Sequence, residues 1–114
     1  MSSASERIES TIKGNKIVIF MKGNRNFPMC GFSAATVQVF EELGAPYETV
    51  DVLADQEIRE GVKVYSNWPT IPQVYIDGKF VGGCDIIREL YESGELQTIV
   101  KTAMSAAVAA SATD

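Results

Sequence analysis

Apolar and polar residues follow two distinct patterns in the first third of this chain. Residues 3–13 carry apolar side chains at a helical spacing, with Ser3 and Glu6 at the spacing of a capping box, so we expect a helix there. Residues 16–21 (KIVIFM) form a short β-branched apolar run, which predicts a central strand covered on both faces. Residues 23–29 then combine Gly, Pro and two Asn, and they are predicted to form a loop.

A second strand and two further helices are predicted for the middle of the chain. Residues 32–43 have a helical pattern that stops at Gly44, a residue typical of helix C-termini. Residues 47–52 predict a strand, and residues 55–65 predict a helix with its apolar residues on one face. Strands that alternate with helices in this way indicate a parallel βαβ unit.

The pattern changes again in the last third of the chain. Residues 72–76 and 79–81 are short apolar runs on either side of Asp77-Gly78, a dipeptide typical of type I′ turns, so they predict a β-hairpin. Residues 85–93 predict a further helix, and Asp85, taken alone, would be its N-cap.

The C-terminal residues contain few side chains that could anchor them to a core. Leu96, Ile99 and Val100 indicate a final short helix, after which residues 105–114 are mostly Ala, Ser and Thr. We therefore expect the folded domain to span residues 1–104 and residues 105–114 to form a disordered tail.

Composition narrows the class of protein. The 114 residues, 46% of them hydrophobic, are enough for one core, and the net charge of −5 argues against nucleic-acid binding. The longest apolar run is far shorter than the ~20 residues of a membrane span, so no span is expected. Two cysteines and no targeting pattern indicate a reducing compartment, either a bacterial cytoplasm or an organelle stroma or matrix.

The sequence Cys30-Gly31-Phe32-Ser33 carries the candidate chemistry. It places one thiol at the start of a helix and a hydroxyl where a redox motif would carry a second thiol, so any second sulfur must come from elsewhere. The chain contains no histidine, so only electrostatics can ionise this thiol, and the first helical turn and Lys22 are the candidates. Ser33 has two interpretations, an ordinary first-turn serine or a group that supports the thiolate.

Three motifs give the chain a family resemblance. FPMCGFS at residues 27–33, WPTIP at residues 68–72 and GGCD at residues 82–85 together resemble the monothiol glutaredoxins of the CGFS type. The resemblance covers residues 1–104 and implies an α/β fold of the thioredoxin or glutaredoxin class. In that fold a βαβ unit and a β-hairpin form a four-stranded mixed sheet flanked by helices.

The resemblance also implies a glutathione site. Its glycine carboxylate would bind basic side chains, its cysteinyl backbone would pair with the residue before a cis-proline, and its γ-glutamyl end would bind at a helix start. The residues at these family positions are Lys22 and Arg59, then Ile71 before Pro72, then Cys84 and Asp85.

Cys84 has three interpretations. It could be a small packed side chain, a resolving thiol that forms a disulfide with Cys30, or the carrier of a backbone N–H that binds glutathione. The backbone role combined with packing is the one we expect.

Two functions from different classes follow from the resemblance. In the first, Cys30 of two chains and two glutathiones hold a [2Fe-2S] cluster, so the protein is a homodimeric carrier when loaded and a monomer when empty. BolA-type proteins and apo iron-sulfur proteins are its implied partners, and a redox-inert adaptor for BolA-type proteins is a related option. In the second, Cys30 removes glutathione from glutathionylated proteins as a monothiol oxidoreductase.

The loop over residues 23–29 favours the carrier. It places seven residues between Lys22 and Cys30, and in the resembled family this longer loop accompanies weak disulfide reductase activity. A neutral surface insertion is the alternative interpretation of the same residues.

Overall fold

The computed structural model describes the backbone of residues 3–113 and the side chains of residues 3–105. Within these residues the chain forms five helices and four strands. The helices are α1 (Ala4–Gly14), α2 (Gly31–Leu43), α3 (Gln56–Ser66), α4 (Cys84–Ser93) and α5 (Glu95–Thr113). The strands are β1 (Ile17–Met21), β2 (Glu48–Asp51), β3 (Gln73–Ile76) and β4 (Lys79–Gly82).

The four strands form one mixed sheet in the order β2-β1-β3-β4. Strand β1 pairs with β2 in parallel and with β3 antiparallel, and β3 pairs antiparallel with β4. The βαβ unit, the hairpin and the mixed four-stranded sheet expected from the sequence are therefore confirmed. All five residues of β1 are buried, as predicted for a central strand covered on both faces.

Strand β1 divides its side chains between two apolar layers. Ile17, Ile19 and Met21 pack in the layer that α2, α4 and α5 cover, whereas Val18 and Phe20 pack in the layer that α1 and α3 cover. This alternation follows from the two-residue period of a strand. Each fully buried large aliphatic or aromatic side chain contributes about 1.5–3 kcal/mol. The ends of this central strand are therefore firmly placed.

Local sequence signals set several element boundaries. Ser3 and Glu6 form the expected capping box at the start of α1. Asp77 and Gly78 connect β3 to β4 with φ values of 53° and 80°, as the predicted type I′ turn requires. These short-range signals are confirmed because each depends on only a few neighbouring residues.

Two boundaries differ from the sequence prediction. Helix α4 begins at Cys84 with Gly83 as its N-cap, so Asp85 lies inside the first turn and does not cap the helix. Helix α5 extends to Thr113, whereas the sequence analysis predicts a short helix and then a disordered tail over residues 105–114. Alanine has the highest helix propensity of all residues, which favours this extension even without packing. Asp114 lies outside the described residues. Among those residues, no helix is both long and apolar enough to cross a membrane.

Candidate functional site

An open groove of about 520 Å³ lies where the end of β1, the start of α2, one side of α3, the segment before β3 and the start of α4 meet. The six residues that the sequence analysis assigned to a site all line this groove. They are Lys22, Cys30, Arg59, Ile71, Cys84 and Asp85. The fold thus brings together residues from five separate segments.

Cys30 lines the groove as the N-cap residue of α2, and it is partly exposed. Its backbone is extended, as is usual for an N-cap residue. A hydrogen bond from the backbone N–H of Ser33 is the main cause that lowers the pKa of Cys30 below its ordinary value of 9.0, although burial opposes it. The backbone N–H of Phe32, the charge of Lys22 and the Ser33 hydroxyl lower this pKa further. The thiolate is thus stabilised first by the helix start and only then by a cation.

Ser33 supports the thiolate, one of the two interpretations that the sequence left open, and it also contacts the end of β1. Its side chain is fully buried, and its hydroxyl oxygen accepts a hydrogen bond of 3.1 Å from the backbone N–H of Lys22. Its O–H can therefore donate to Cys30, in agreement with its lowering effect on the pKa of that thiol. Ser33 both ties the end of β1 to α2 and supports the thiolate.

The loop over residues 23–29 is a closed, hydrogen-bonded structure. Asn24 and Phe27 exchange two backbone hydrogen bonds of 3.1 and 3.2 Å, and the Asn24 side chain accepts a further bond from the N–H of Phe27. Met29 N–H donates to the carbonyl of Lys22 at 2.8 Å, which closes the loop at its base. Asp51 at the end of β2 accepts a bond of 3.0 Å from Gly23 N–H. Cys30 therefore follows a segment with a defined conformation.

Arg25 fastens the tip of this loop to the rest of the fold. Its guanidinium lies 4.2 Å from the centre of the Tyr47 ring and donates a hydrogen bond to the Tyr47 carbonyl. The Tyr47 hydroxyl in turn donates to Glu41 on α2 at 2.7 Å. Burial and the Glu41 carboxylate raise the pKa of Tyr47 to about 12, so this hydroxyl stays protonated. Tyr47 thus contacts both the loop before Cys30, through Arg25, and helix α2 after it, through Glu41.

The basic side of the groove comes from Lys22 and α3. Arg59 has its Nε atom buried without a hydrogen-bond partner among the described residues. Lys63 lies one turn further along α3 and also lines the groove. Its nearest carboxylate is that of Glu60, at 3.8 Å. The groove is therefore a locally basic region on a chain whose net charge is −5.

The segment before β3 and the start of α4 offer backbone groups to the groove. The Ile71–Pro72 bond is cis, as the resemblance implied, and within the described residues neither peptide group of Ile71 makes a hydrogen bond. Helix α4 begins with Gly83 as an N-cap without a side-chain cap, so the first N–H groups of this helix can bind an anion. Asp85 is exposed in this first turn.

Comparison with known proteins agrees with this geometry. The sequence model of the glutaredoxin family matches residues 17–81, which is more than half of the chain. The chain belongs to the glutaredoxin family. It is 57% identical to a monothiol glutaredoxin of Synechocystis, over 87% of this chain and 92% of that protein. It is also 52% identical to the chloroplastic monothiol glutaredoxin S7 of rice, but the aligned part is only 58% of that protein.

Solved glutaredoxin structures have the same fold. Reduced apo GrxS14 of poplar, solved in solution, is 50% identical and superposes with a TM-score of 0.78, covering 87% of this chain and 91% of that one. A buckwheat glutaredoxin in complex with glutathione is 26% identical, with a TM-score of 0.79, and covers 88% of this chain and 89% of that one. The monothiol glutaredoxin resemblance is therefore confirmed, together with the thioredoxin-like fold.

Two features of this glutaredoxin site were missed at the level of sequence. Lys63 was not singled out, although its position four residues after Arg59 places both on one face of α3. Gly83 was assigned no role, yet it begins α4 at the edge of the groove. Cys84, buried and with a free thiol, follows it at the first helical position, where the sequence analysis expected a packed residue that offers its backbone.

Proposed function

We propose that this protein is a glutathione-dependent carrier of [2Fe-2S] clusters. Two subunits bridge the cluster, and each contributes Cys30 and one bound glutathione. The observation that carries this proposal is one partly exposed thiol, with a lowered pKa, in the lining of a basic groove. The glutathione complex of the buckwheat glutaredoxin, which shares this fold, supports the ligand.

The groove has the size and the groups that glutathione requires. Its volume of about 520 Å³ lies within the usual range for small-molecule sites, which is roughly 300–1,000 Å³. Lys22 and Arg59 suit the glycine carboxylate, because Arg59 Nε is a buried donor without a described partner. The unbonded peptide groups of Ile71 suit the cysteinyl backbone. The start of α4 suits the γ-glutamyl carboxylate, and Asp85 suits the γ-glutamyl ammonium group.

The ligand count favours a shared cluster. A [2Fe-2S] cluster takes four sulfur ligands, but this chain has only two cysteines and no histidine, and Cys84 is buried. No three potential metal ligands cluster within the described residues. Two Cys30 thiolates and two glutathione thiolates complete the shell, so the loaded protein is a homodimer and the empty protein a monomer. Apo iron-sulfur proteins and BolA-type proteins are then its partners.

The proposed compartment follows from chemistry and from the relatives. A free thiolate and a glutathione-bound cluster both need reducing surroundings. The relatives include a cyanobacterial protein and a chloroplastic one. We therefore place the protein in a bacterial cytoplasm or in an organelle stroma or matrix.

The lowered pKa of Cys30 also favours a second function, removal of glutathione from proteins. The Cys30 thiolate attacks the glutathione sulfur of a mixed disulfide, and the client protein leaves as a thiolate. A second glutathione thiolate then attacks the Cys30–glutathione disulfide, which releases glutathione disulfide and restores Cys30. One disulfide thus replaces another: the client thiol is restored and the incoming glutathione thiol is oxidised into glutathione disulfide, so the cycle needs no second cysteine.

Anaerobic reconstitution separates the two functions. Purified protein incubated with iron, sulfide and glutathione should become a coloured dimer by size-exclusion chromatography, and omission of glutathione should prevent this. Cys30→Ser should stay colourless and monomeric, whereas Cys84→Ser is the matched control and should still assemble the cluster. A colourless wild type that rapidly reduces glutathione mixed disulfides would refute the carrier and support the oxidoreductase.

A further inference from the structure

Gln73 is a fully buried polar side chain at the first position of β3. It points to the same face of the sheet as Tyr75, two residues later, because side chains alternate along a strand. A buried amide without partners would be costly, so its hydrogen bonds indicate what it stabilises.

The hydrogen bonds of the Gln73 amide join it to the segment before β3 and to Tyr75. Nε2 of Gln73 donates to the carbonyl oxygens of Trp68 at 3.0 Å and Thr70 at 3.2 Å. Its Oε1 accepts a bond of 3.1 Å from the hydroxyl of Tyr75, which is itself buried. Burial raises the pKa of Tyr75 to about 12, so this hydroxyl remains a donor at physiological pH. Because the Tyr75 hydroxyl donates to Oε1, the Nε2 end of the Gln73 amide must face the carbonyls of Trp68 and Thr70.

The two carbonyls belong to the wall of the groove. Trp68 and Thr70 both line it, immediately before Ile71. The Trp68 carbonyl has one further and longer contact, 3.5 Å from the Ser66 hydroxyl. The Thr70 carbonyl has Gln73 as its hydrogen-bond donor among the described residues. Gln73 is therefore the main interior anchor of this wall.

Peptide geometry extends this anchor to Ile71. The C=O of Thr70 and the N–H of Ile71 belong to one planar trans peptide unit, in which the two groups point in opposite directions. When Gln73 holds the Thr70 carbonyl toward the interior, the Ile71 N–H must face away from it, toward the groove. This is the N–H that the proposed glutathione site uses.

We propose that Gln73 is a positioning residue for glutathione, because its buried amide turns the Thr70–Ile71 peptide so that the Ile71 N–H faces the groove. Gln73 does not touch the ligand, and it acts through the Trp68–Thr70 segment. This inference rests on the proposed glutathione site. It predicts that substitution of Gln73 changes the affinity for glutathione but leaves the reactivity of Cys30 unchanged. The groups that set the pKa of Cys30 lie on α2 and at the end of β1, outside this network.

The test compares three variants with the wild type. Gln73→Met keeps the length of the side chain but removes its donors and its acceptor, Tyr75→Phe removes the hydroxyl that donates to Oε1, and Gln97→Met is the matched control at an exposed glutamine on α5. Reduced glutathione is titrated into each protein, with binding followed by amide chemical shifts. Acrylamide quenching of the single tryptophan, Trp68, reports the position of the groove wall without any ligand.

Loss of one aligned hydrogen bond predicts a roughly fivefold to tenfold weaker glutathione affinity for Gln73→Met and a roughly twofold loss for Tyr75→Phe. Both variants should increase the quenching of Trp68, and Gln97→Met should match the wild type in both measurements. The alkylation rate of Cys30 as a function of pH should remain that of the wild type in all three. A purely structural defect would change this profile as well.

Three other outcomes would refute either the positioning role of Gln73 or the proposed glutathione site. If the wild type binds glutathione and Gln73→Met binds it within twofold with unchanged quenching, the positioning role is wrong. If Gln73→Met does not fold, Tyr75→Phe decides, and wild-type affinity and quenching in that variant refute the role. If the wild type itself does not bind glutathione, the proposed site fails, whereas the quenching of Trp68 still tests the anchor.

Discussion

Gly23 is the position at which a single methyl group should disturb the active loop most. It begins the loop before Cys30 with φ at 86°, a conformation that residues with a Cβ rarely adopt. A Cβ at Gly23 would overlap the carbonyl oxygen of Phe27 and lie 2.8 Å from the backbone nitrogen of Met29. Both atoms belong to the backbone of the same closed loop, so neither can move aside as a flexible side chain would.

The expected cost can be worked out against a matched glycine. Gly44→Ala has a similar φ of 76° but no atom of the described residues within 4 Å of the new Cβ, so it should cost only the backbone term of about 1–2 kcal/mol. Gly23→Ala carries the same term and must also separate backbone atoms that close the loop. The affected bonds run from Met29 N–H to Lys22 and between Asn24 and Phe27. At about 1 kcal/mol for each of these three weakened bonds, the total becomes about 4–5 kcal/mol.

Urea denaturation measures both free energies of unfolding, and alkylation of Cys30 at fixed pH measures the effect on the site. We expect Gly44→Ala to alkylate at the wild-type rate. Gly23→Ala should alkylate at a different rate even where the protein remains folded, because the displaced loop carries Lys22 and Cys30 at its two ends. Equal unfolding free energies for the two variants, with identical alkylation rates, would show that the loop yields freely and that its hydrogen bonds do not position the thiol.

Two further predictions concern the electrostatics and the anchor of the site. The alkylation rate of Cys30 should rise with pH through a midpoint below 9.0. Lys22→Met should raise this midpoint but keep it below 9.0, because the peptide N–H groups of α2 still stabilise the thiolate. A midpoint that Lys22→Met leaves unchanged would contradict the contribution of the Lys22 charge. Because the pKa of Cys30 is lower in the folded state, ionisation of this thiol raises the free energy of unfolding. This contribution grows as pH rises from the folded-state pKa to 9.0, and it is lost as pH falls through the folded-state pKa. Arg25→Ala should lower the free energy of unfolding by about 1–2 kcal/mol, through loss of the contact with Tyr47, and speed amide hydrogen exchange in the loop before Cys30. The exposed Arg88→Ala is its control, and equal exchange in the two variants would argue against the anchor.

The regular elements could be predicted because their signals are local. The apolar run of β1, the turn at Asp77-Gly78 and the capping box at Ser3 each depend on a few consecutive residues, and the structure contains all three. The misplaced boundaries have a physical reason. The start of α4 carries no side-chain cap, so Asp85 offered a capping signal that the backbone does not use.

Four of the six predicted site residues lie in the three motifs, and the family resemblance supplied Lys22 and Arg59, whereas no motif encodes the contacts that support the site. Gln73 is one polar residue in an apolar strand, and only the fold shows that it meets the carbonyls of Trp68 and Thr70. The contact of Arg25 with Tyr47 likewise joins two loops that are distant in sequence. Long-range polar contacts of this kind have no periodicity and cannot be inferred from spacing.

The relative size of the effects that lower the pKa of Cys30 matters for the proposed cluster carrier. The sequence indicated two groups that could ionise this thiol, the first helical turn and Lys22, and of the two the backbone N–H of Ser33 in that turn is the main cause of the lowered pKa, whereas Lys22 is a lesser one. In the proposed complex the glycine carboxylate of glutathione partly neutralises Lys22. A thiol that depended on this cation would lose its thiolate form as glutathione binds. Since the main donors are fixed peptide groups of α2, Cys30 can remain ionised while the groove is filled, which is the state in which it must bind iron.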